Sequence, residues 1–150
     1  MVEYVLRREQ WIPRPIEEVF AFFADAGNLE AITPPWLGFR ILTPTPITME
    51  VGARIEYRIR LRKLPVHWIT EIRRWDPPIG FMDAELRGPY RLWEHTHEFQ
   101  SINGGTRMTD VVRYALPFGL IGRLAHSWFV KSELEAIFDY RRDKVSALLG

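Results

Sequence analysis

The sequence predicts an α+β fold in which a curved, seven-stranded antiparallel sheet wraps around one long C-terminal helix, with two short helices after the first strand. Two observations carry this prediction. Several consecutive segments alternate between polar and apolar residues, as strands with one solvated face do. The residues after Gly119 repeat apolar side chains at helical spacing as far as Leu149. Packing the apolar face of the sheet against the apolar stripe of the helix would bury both.

The first elements follow from proline positions and spacing. A strand is predicted over residues 3–12, and Pro15 suits the first turn of a helix. Apolar residues then follow at helical spacing: Ile16, Val19, Phe20 and Phe23. A second short helix is predicted over residues 28–33, and a second strand near 37–43.

Residues 54–62 alternate without interruption and predict a strand with one solvated face. A tight turn at Lys63-Leu64 would oppose Ile59 to Trp68 and Tyr57 to Thr70, so that the apolar faces coincide. The opposite face is basic: Arg54, Arg58, Arg60 and Arg62. We interpret it as a solvated sheet surface, because no aromatic stacking platform for nucleic acid accompanies it.

The Asn103-Gly104 pair predicts a two-residue hairpin turn, since a type I′ turn needs positive φ at both central residues. With Ile102 opposite Gly105, the register of the two strands is fixed. Directly opposed side chains share one face of the sheet. The predicted pairs are Phe99 with Met108, His97 with Asp110, His95 with Val112, and Trp93 with Tyr114.

Two registers are open for the strand predicted over residues 79–86. A three-residue loop opposes Leu86 to Tyr90, permits an Arg91–Glu85 ion pair, and turns Phe81, Asp83 and Glu85 toward the inner face. A two-residue loop instead turns Met82, Ala84 and Leu86 inward. The ion pair favours the first register, which leaves an outward apolar patch that is a candidate homodimer contact: Met82, Ala84, Leu86, Tyr90 and Leu92.

Composition predicts one domain spanning residues 1–150 and excludes several classes of function. The net charge of +1 gives no global attraction to nucleic acid. The absence of Cys excludes disulfides, thiolate metal sites and Cys nucleophiles. No apolar run approaches the ~20 residues of a spanning helix, so we expect no membrane insertion and a cytoplasmic location.

Several segments together resemble the START-like (SRPBCC) superfamily, and within it the stand-alone ligand-binding proteins of the polyketide cyclase/dehydrase-like group. The resemblance implies the helix-grip fold and a ligand site between the sheet and the long helix. It does not imply a particular reaction. The matching segments are Pro15-x-x-x-Val19-Phe20-x-Phe22-Phe23, Ile32-Thr33-Pro34-Pro35-Trp36, Gly88-Pro89-Tyr90-x-x-Trp93-x-His95-x-His97-x-Phe99, Asp110-x-x-x-Tyr114-x-x-Pro117-Phe118-Gly119 and Phe138-Asp139-Tyr140-Arg141.

His97 with Asp110 is the candidate catalytic pair, should the protein be an enzyme. A carboxylate beside an imidazole fixes its tautomer and raises its pKa, as a general acid or base requires. The alternative is a buried His held by an Asp for structural reasons. His95, His97 and Asp110 also offer three metal ligands, but a closed site needs a fourth. We therefore predict no metal and no cofactor.

The predicted function is binding of a hydrophobic or aromatic small molecule, lipid-like or polyketide-like, in a cavity between the sheet and the C-terminal helix. The alternatives are a cyclase, dehydratase or hydrolase using His97 and Asp110, and an interaction module using the outward apolar patch. Few polar groups among aromatic side chains are typical of small-molecule sites. The predicted ligand-binding residues are Trp36, Tyr57, Trp68, Thr70, Asp83, Trp93, His95, His97, Val112, Tyr114, Phe118, Trp128 and Phe129.

Overall fold

A computed structural model describes residues 2–61 and 63–150 of the chain. Seven strands form an antiparallel sheet in the order β1-β7-β6-β5-β4-β3-β2, which confirms the predicted helix-grip architecture. Arg62, predicted on the basic face, lies outside the described residues. The strands are β1 (Tyr4–Ile12), β2 (Arg40–Ile41), β3 (Arg54–Leu61), β4 (Leu64–Asp76), β5 (Gly80–Arg87), β6 (Leu92–Ile102) and β7 (Gly105–Ala115).

The helices lie where the apolar spacing predicts them. Two short helices follow β1: α1 (Ile16–Ala24) and α2 (Leu29–Ile32). The C-terminal helical region consists of α3 (Gly119–Ala125) and α4 (Lys131–Leu149), joined by a π-helical turn over His126–Val130.

The second strand is much shorter than the predicted range of 37–43. Of this range, Arg40 and Ile41 form the ladder with β3 that the described residues show. Pro35–Leu37 forms a 3₁₀ turn that ends at Gly38, whose φ is 55°. This left-handed residue redirects the chain just before the strand begins, so residues 37–39 cannot join the ladder.

The β6–β7 hairpin has the predicted turn and register. Asn103 and Gly104 have φ values of 53° and 75°, as the type I′ turn requires. His97 lies opposite Asp110, and Phe99 lies opposite Met108. The face shared by the two histidines and Asp110 is therefore confirmed.

The predicted pairing of β3 with β4 is wrong by two residues. Leu61 pairs with Leu64, and Tyr57 pairs with Trp68 rather than with Thr70. The chain reverses directly between the two leucines, where Lys63 has a φ of 69°, instead of through a longer turn. A shift of two residues leaves every side chain on its predicted face, because the side-chain period of a strand is two.

The pairing of β5 with β6 is also displaced by two residues. Asp83 lies opposite His95, and four residues separate the two strands instead of three. Asp83 faces inward, as the preferred register predicts. The Arg91–Glu85 ion pair is wrong, however: Glu85 accepts a hydrogen bond from the Tyr90 backbone N–H, and among the described residues no ion pair joins Glu85 to Arg91.

The longer loop also changes the outward apolar patch. Tyr90 points inward, with its ring 4.7 Å from the ring of Trp93 and 5.8 Å from that of Trp68. Ala84 is buried. Tyr90 and Ala84 are therefore unavailable for the predicted homodimer contact. The dimer stays a prediction, supported by the remaining three residues of the patch: Met82, Leu86 and Leu92.

The main core lies where α1 and the end of α4 cover the sheet. Phe20 stands at its centre, with its ring edge-on to those of Phe81 and Phe99. Ring centroids 5.5–5.9 Å apart in this orientation are a favourable aromatic geometry. Residues buried in the same cluster are Ile12, Val19, Phe23, Ile32, Ile72, Met108, Val145 and Leu149.

Replacing Gly80 with Ala should lower the free energy of unfolding by about 1–3 kcal/mol. A Cβ at Gly80 would lie 2.5 Å from the backbone oxygen of His97, so β5 and β6 would have to separate beside the histidines. Urea denaturation followed by circular dichroism measures the loss. An unchanged midpoint would show that the two strands separate here without loss of stability.

Candidate functional site

A cavity of about 190 Å³ lies between the sheet and α4. Strands β3 to β6 form its floor, the segment from α1 to β2 forms one side, and α4 closes the other. Most of its wall is apolar and aromatic, including Phe23, Phe39, Ile55, Trp68, Trp93, Leu134 and Phe138. Most polar side chains of the wall form a compact group near the centre of the sheet: Thr70, Asp83, His95, His97 and Arg141.

Four adjacent strands, β4 to β7, and α4 bring this polar group together with Asp110. His95 and His97 are two residues apart on β6, so both side chains point to the same face. Asp83 reaches them from β5 and Asp110 from β7, on either side. Both histidines and Asp110 are nearly inaccessible to solvent.

The structure pairs the histidines and carboxylates differently from the prediction. His97 Nε2 lies 2.8 Å from Asp83 Oδ2, and His95 Nε2 lies 2.8 Å from Asp110 Oδ1. His97 Nδ1 is 3.5 Å from Asp110 Oδ1, without a hydrogen bond. The predicted His97–Asp110 hydrogen bond is therefore wrong. Asp83 lies opposite His95 but bonds His97, and Asp110 lies opposite His97 but bonds His95. Long side chains can reach such diagonal neighbours across a strand pair.

The imidazole rings are held in a stack. The ring of His97 lies 3.7 Å from that of His95 and 4.0 Å from that of Phe81 on its other side. Phe138 of α4 meets His95 edge-on at 5.7 Å. Because ring faces and ring nitrogens are both in contact, neither imidazole can rotate without breaking packing or a hydrogen bond.

Arg141 joins the group from α4, and the sequence reasoning did not identify it as a site residue. Its guanidinium lies over the rings of Phe23 and Phe138, at 5.3 and 5.8 Å from their centroids. Its Nη2 is 3.5 Å from Asp110 Oδ1. A signal was present, since an Arg occupies an apolar position of the helical stripe. A buried charge at such a position needs a partner on the facing sheet.

Burial and neighbouring charges set the protonation states. Burial opposes ionisation of Asp110, but Arg141 and the hydrogen bond from His95 hold its pKa well below the usual range. Burial likewise opposes ionisation of Asp83, and the hydrogen bond from His97 lowers its pKa. An ionised carboxylate only accepts hydrogen bonds, so each histidine carries a proton on Nε2.

His97 is neutral near pH 7. Burial and the neighbouring His95 lower the pKa of His97 to about 4, although both carboxylates oppose this shift. With the proton on Nε2, the Nδ1 atom of the neutral ring is an acceptor. Burial, followed by the charges of Asp83 and Glu85, raises the pKa of Tyr57 well above its ordinary value.

Three buried side-chain atoms have no hydrogen-bond partner among the described residues: Trp68 Nε1, His97 Nδ1 and Arg141 Nε. All three side chains line the cavity. A buried polar atom without a partner is costly in free energy, and each such atom in a native structure needs an explanation. A bound molecule is one explanation.

The structure brings about half of the predicted ligand-binding residues to the cavity. Those that line it are Tyr57, Trp68, Thr70, Asp83, Trp93, His95 and His97. Val112 and Tyr114 instead pack with Leu134 and Phe138 in a separate core cluster. They do not reach the cavity because they lie on β7, whereas β3 to β6 form its floor.

Four more predicted residues are exposed and do not line the cavity. Trp36 packs edge-on against Tyr140 on the outside of α4. The other three project from the α3 region: Phe118, Trp128 and Phe129. Their apolar character predicted burial at the cavity entrance. The helix that carries them is anchored through other residues, and these side chains face outward.

Asp83, His95 and His97 also form a possible metal-binding group, since their ligand atoms lie within 4.8 Å of one another. The sequence suggested Asp110 as the third ligand, and the geometry gives Asp83 instead. Both Nε2 atoms already donate to carboxylates, so an ion would have to replace those hydrogen bonds or use Nδ1. The absence of a metal stays a prediction.

Residues 12–135 match the model of a family described as polyketide cyclase/dehydrase and lipid transport. The chain belongs to this family. Membership supports ligand binding in general and leaves the ligand open. No curated protein matches the sequence significantly. No described helix is both long enough and apolar enough to cross a membrane.

Solved structures share the fold at low sequence identity. TTHA0849 from Thermus thermophilus is 21% identical, with a TM-score of 0.68, and the match covers 98% of this chain and all of that one. CV1439 from Chromobacterium violaceum is 12% identical with a TM-score of 0.75, covering 97% and 96%. Ginseng major latex-like protein 151 from Panax ginseng is 10% identical with a TM-score of 0.70, covering 98% and 97%.

Proposed function

We propose that this member of the polyketide cyclase/dehydrase and lipid transport family binds a small, largely apolar aromatic molecule of polyketide-like type in the cavity between the sheet and α4. One observation carries the proposal. Trp68 Nε1–H, a donor that cannot accept, is buried without a partner among the described residues, in the wall of this aromatic cavity. A ligand that offers an acceptor oxygen beside an apolar ring would satisfy it.

The volume limits the size of the ligand. Pockets for drug-sized molecules measure roughly 300–1,000 Å³. An engineered apolar cavity of roughly 150 Å³ holds benzene. The cavity here, about 190 Å³, therefore suits one substituted ring. A long acyl chain or a fused multi-ring compound would need the wall to move.

The polar group in the wall suits binding better than acid–base catalysis. A general base works best when its pKa lies near the operating pH. Burial and His95 lower the pKa of His97 to about 4, so it is a weak base at neutral pH. Both histidines are also held by hydrogen bonds and ring stacking. The enzyme alternative would use His97 with Asp83, whose carboxylate bonds its Nε2.

Acetophenone and ethylbenzene form a matched pair of probes that tests this proposal. Both fit the volume of one substituted ring, and only acetophenone carries an acceptor oxygen. We expect acetophenone to bind about three- to tenfold more tightly, the net value of one hydrogen bond. Replacing Trp68 with Phe should remove this difference. Ligand-observed NMR titration measures both affinities, and equal affinities in the unchanged protein would contradict the role given to Trp68.

Filling the cavity should abolish binding of either probe. Ile137 of α4 lines the cavity, whereas its neighbour Ala136 is exposed. The Ile137→Trp variant should lose acetophenone binding at least tenfold, and the Ala136→Trp variant should retain it. If both variants bind equally, the ligand site lies elsewhere. Native mass spectrometry of protein purified from its own host would then identify any molecule that co-purifies.

A further inference from the structure

The α3 region carries five large apolar side chains on its outer surface. We call them the apolar helix surface: Phe118, Leu120, Ile121, Leu124 and Trp128. Trp128 is 82% exposed, Phe118 79% and Ile121 71%. Single exposed apolar residues are ordinary, whereas a large exposed apolar patch marks an interaction site.

Packing on the underside of the helix fixes this exposure. The ring of His126 stacks on Tyr4 at 3.5 Å, and its Nε2 forms a 2.7 Å hydrogen bond with the Tyr114 hydroxyl. A Cβ at Gly122 would overlap the backbone oxygen of Pro117, so α3 lies close against the segment that joins it to β7. The apolar helix surface therefore points away from the sheet and remains open to solvent.

The segment that carries the apolar helix surface, residues 111–132, has charges of one sign. No acidic residue occurs between Asp110 and Glu133 in the sequence. Three exposed basic residues lie in or beside the region: Arg91, Arg123 and Lys131. Among the described residues, none of the three forms an ion pair. Arg91 and Arg123 also line one surface groove of about 330 Å³ together with Leu120.

We propose that the apolar helix surface docks on an anionic lipid bilayer. Trp, Phe and Leu beside unpaired cations are the composition of helices that lie in the membrane interface. The apolar side chains would enter the headgroup region, and Arg123 and Lys131 would contact lipid phosphates, with Arg91 beside them. This mode of binding differs from membrane spanning and does not depend on which ligand occupies the cavity.

Charge complementarity favours a bilayer over a second copy of this chain. A symmetric dimer through the apolar helix surface would bring the same unpaired cations of both copies into one interface, where like charges oppose association. An anionic bilayer instead attracts every one of them. A dimer is therefore the competing outcome of the test.

Co-sedimentation with lipid vesicles tests the proposal on the full chain. One vesicle preparation is phosphatidylcholine alone, and the other contains one-third phosphatidylglycerol. We expect binding to the anionic vesicles, weaker binding to the neutral ones, and a loss of affinity as salt is raised. Failure to sediment with the anionic vesicles at low salt would overturn the proposal.

Two pairs of variants separate the apolar and charged contributions. Leu120→Ser/Ile121→Ser should weaken binding to anionic vesicles roughly tenfold or more. Its control, Val51→Ser/Leu64→Ser, removes side chains of similar exposure elsewhere, and should leave binding unchanged. Arg123→Gln/Lys131→Gln should weaken binding to anionic vesicles on the order of 30-fold. Its control, Arg58→Gln/Arg60→Gln, should leave that binding unchanged.

Equal losses in test and control variants would show unspecific adsorption and overturn the proposal. A second result would also overturn the proposal. In it, sedimentation equilibrium shows a dimer, the Leu120→Ser/Ile121→Ser variant is monomeric, and neither protein binds vesicles. All four replaced apolar side chains are exposed, so the variants should fold. Unchanged thermal unfolding by circular dichroism verifies this.

Discussion

Replacing Asp110 with Ala should lower the free energy of unfolding by about 3–5 kcal/mol, because it breaks a buried ion pair by removing one partner. Asp110 accepts the hydrogen bond of His95 and lies 3.5 Å from Arg141. Without it, the guanidinium of Arg141 is a buried cation with no facing carboxylate within ion-pair distance among the described residues. Chemical denaturation with urea measures the change.

Two further variants show whether this loss arises from the buried charge. Asp110→Asn keeps an acceptor for His95 and removes the charge, so we expect an intermediate loss. Asp139→Ala removes a half-exposed carboxylate that pairs with Arg8 at 2.6 Å. Exposed pairs contribute about 0–1 kcal/mol, so its loss should be small. Similar losses for Asp110→Ala and Asp139→Ala would show that the buried cluster does not stabilise the fold.

Acidification from pH 7 to pH 4 should destabilise the protein by about 3 kcal/mol through His97 alone. Burial and His95 lower the pKa of His97 to about 4 in the folded state, against about 6.5 in the unfolded chain. Between these values the unfolded state binds more protons. The contribution of His97 is therefore complete above pH 6.5 and is lost as the pH falls toward 4. His126, whose pKa burial also lowers, acts in the same direction.

Glu85 opposes this effect in the same range of pH. Burial raises the pKa of Glu85 to about 7, so the folded state binds more protons than the unfolded state between pH 4.5 and 7. Its contribution therefore favours the folded state at low pH and is lost as the pH rises. Glu85 is only half-buried, and solvent screening weakens the effect. The Glu85→Gln variant removes it.

Urea unfolding of Glu85→Gln at pH 7, 5.5 and 4 should therefore show a steeper loss of stability than the unchanged protein. Below pH 4 the loss should continue, because Asp83 and Asp110 have lowered pKa values in the folded state. NMR titration of the His97 ring assigns the effect. A stability that does not change between pH 7 and 4 in this variant would contradict the buried, neutral His97.

The sequence predicts side-chain facing far better than strand pairing. Alternation fixes the face on which Tyr57 and His95 lie, and both line the cavity as predicted. Asp83 also lines it, but its facing was chosen between two registers on the basis of an Arg91–Glu85 ion pair that the described residues do not form. A register error of two residues preserves that alternation, so no apolar pattern can reveal it. Two strand pairs were displaced in this way. The β6–β7 pair was not, because Asn103-Gly104 fixes the turn chemically.

The limits of the site prediction have the same origin. Direct opposition of His97 and Asp110 suggested a hydrogen bond between them. The hydrogen bond of His97 with Asp83 depends on the register of β5, which the sequence left open. Arg141 was missed because its partner lies on another element, 31 residues earlier in the chain. Phe118 and Trp128 were expected inside because they are apolar, although apolar residues also occupy much of any protein surface.

The polar group of the site has a consequence for how the cavity admits a ligand. Asp83, His97, His95, Asp110 and Arg141 form a continuous chain of contacts from β5 to α4, in which the two imidazoles stack and the other steps are hydrogen bonds. Lifting α4 would pull Arg141 from its carboxylate in a dry environment. The opposite side is mostly apolar, with Leu29, Leu37 and Phe39 in the wall, and the hydroxyl of its Thr33 donates to the Leu29 backbone oxygen of the same segment. We therefore expect that side to open during ligand exchange while α4 stays in place.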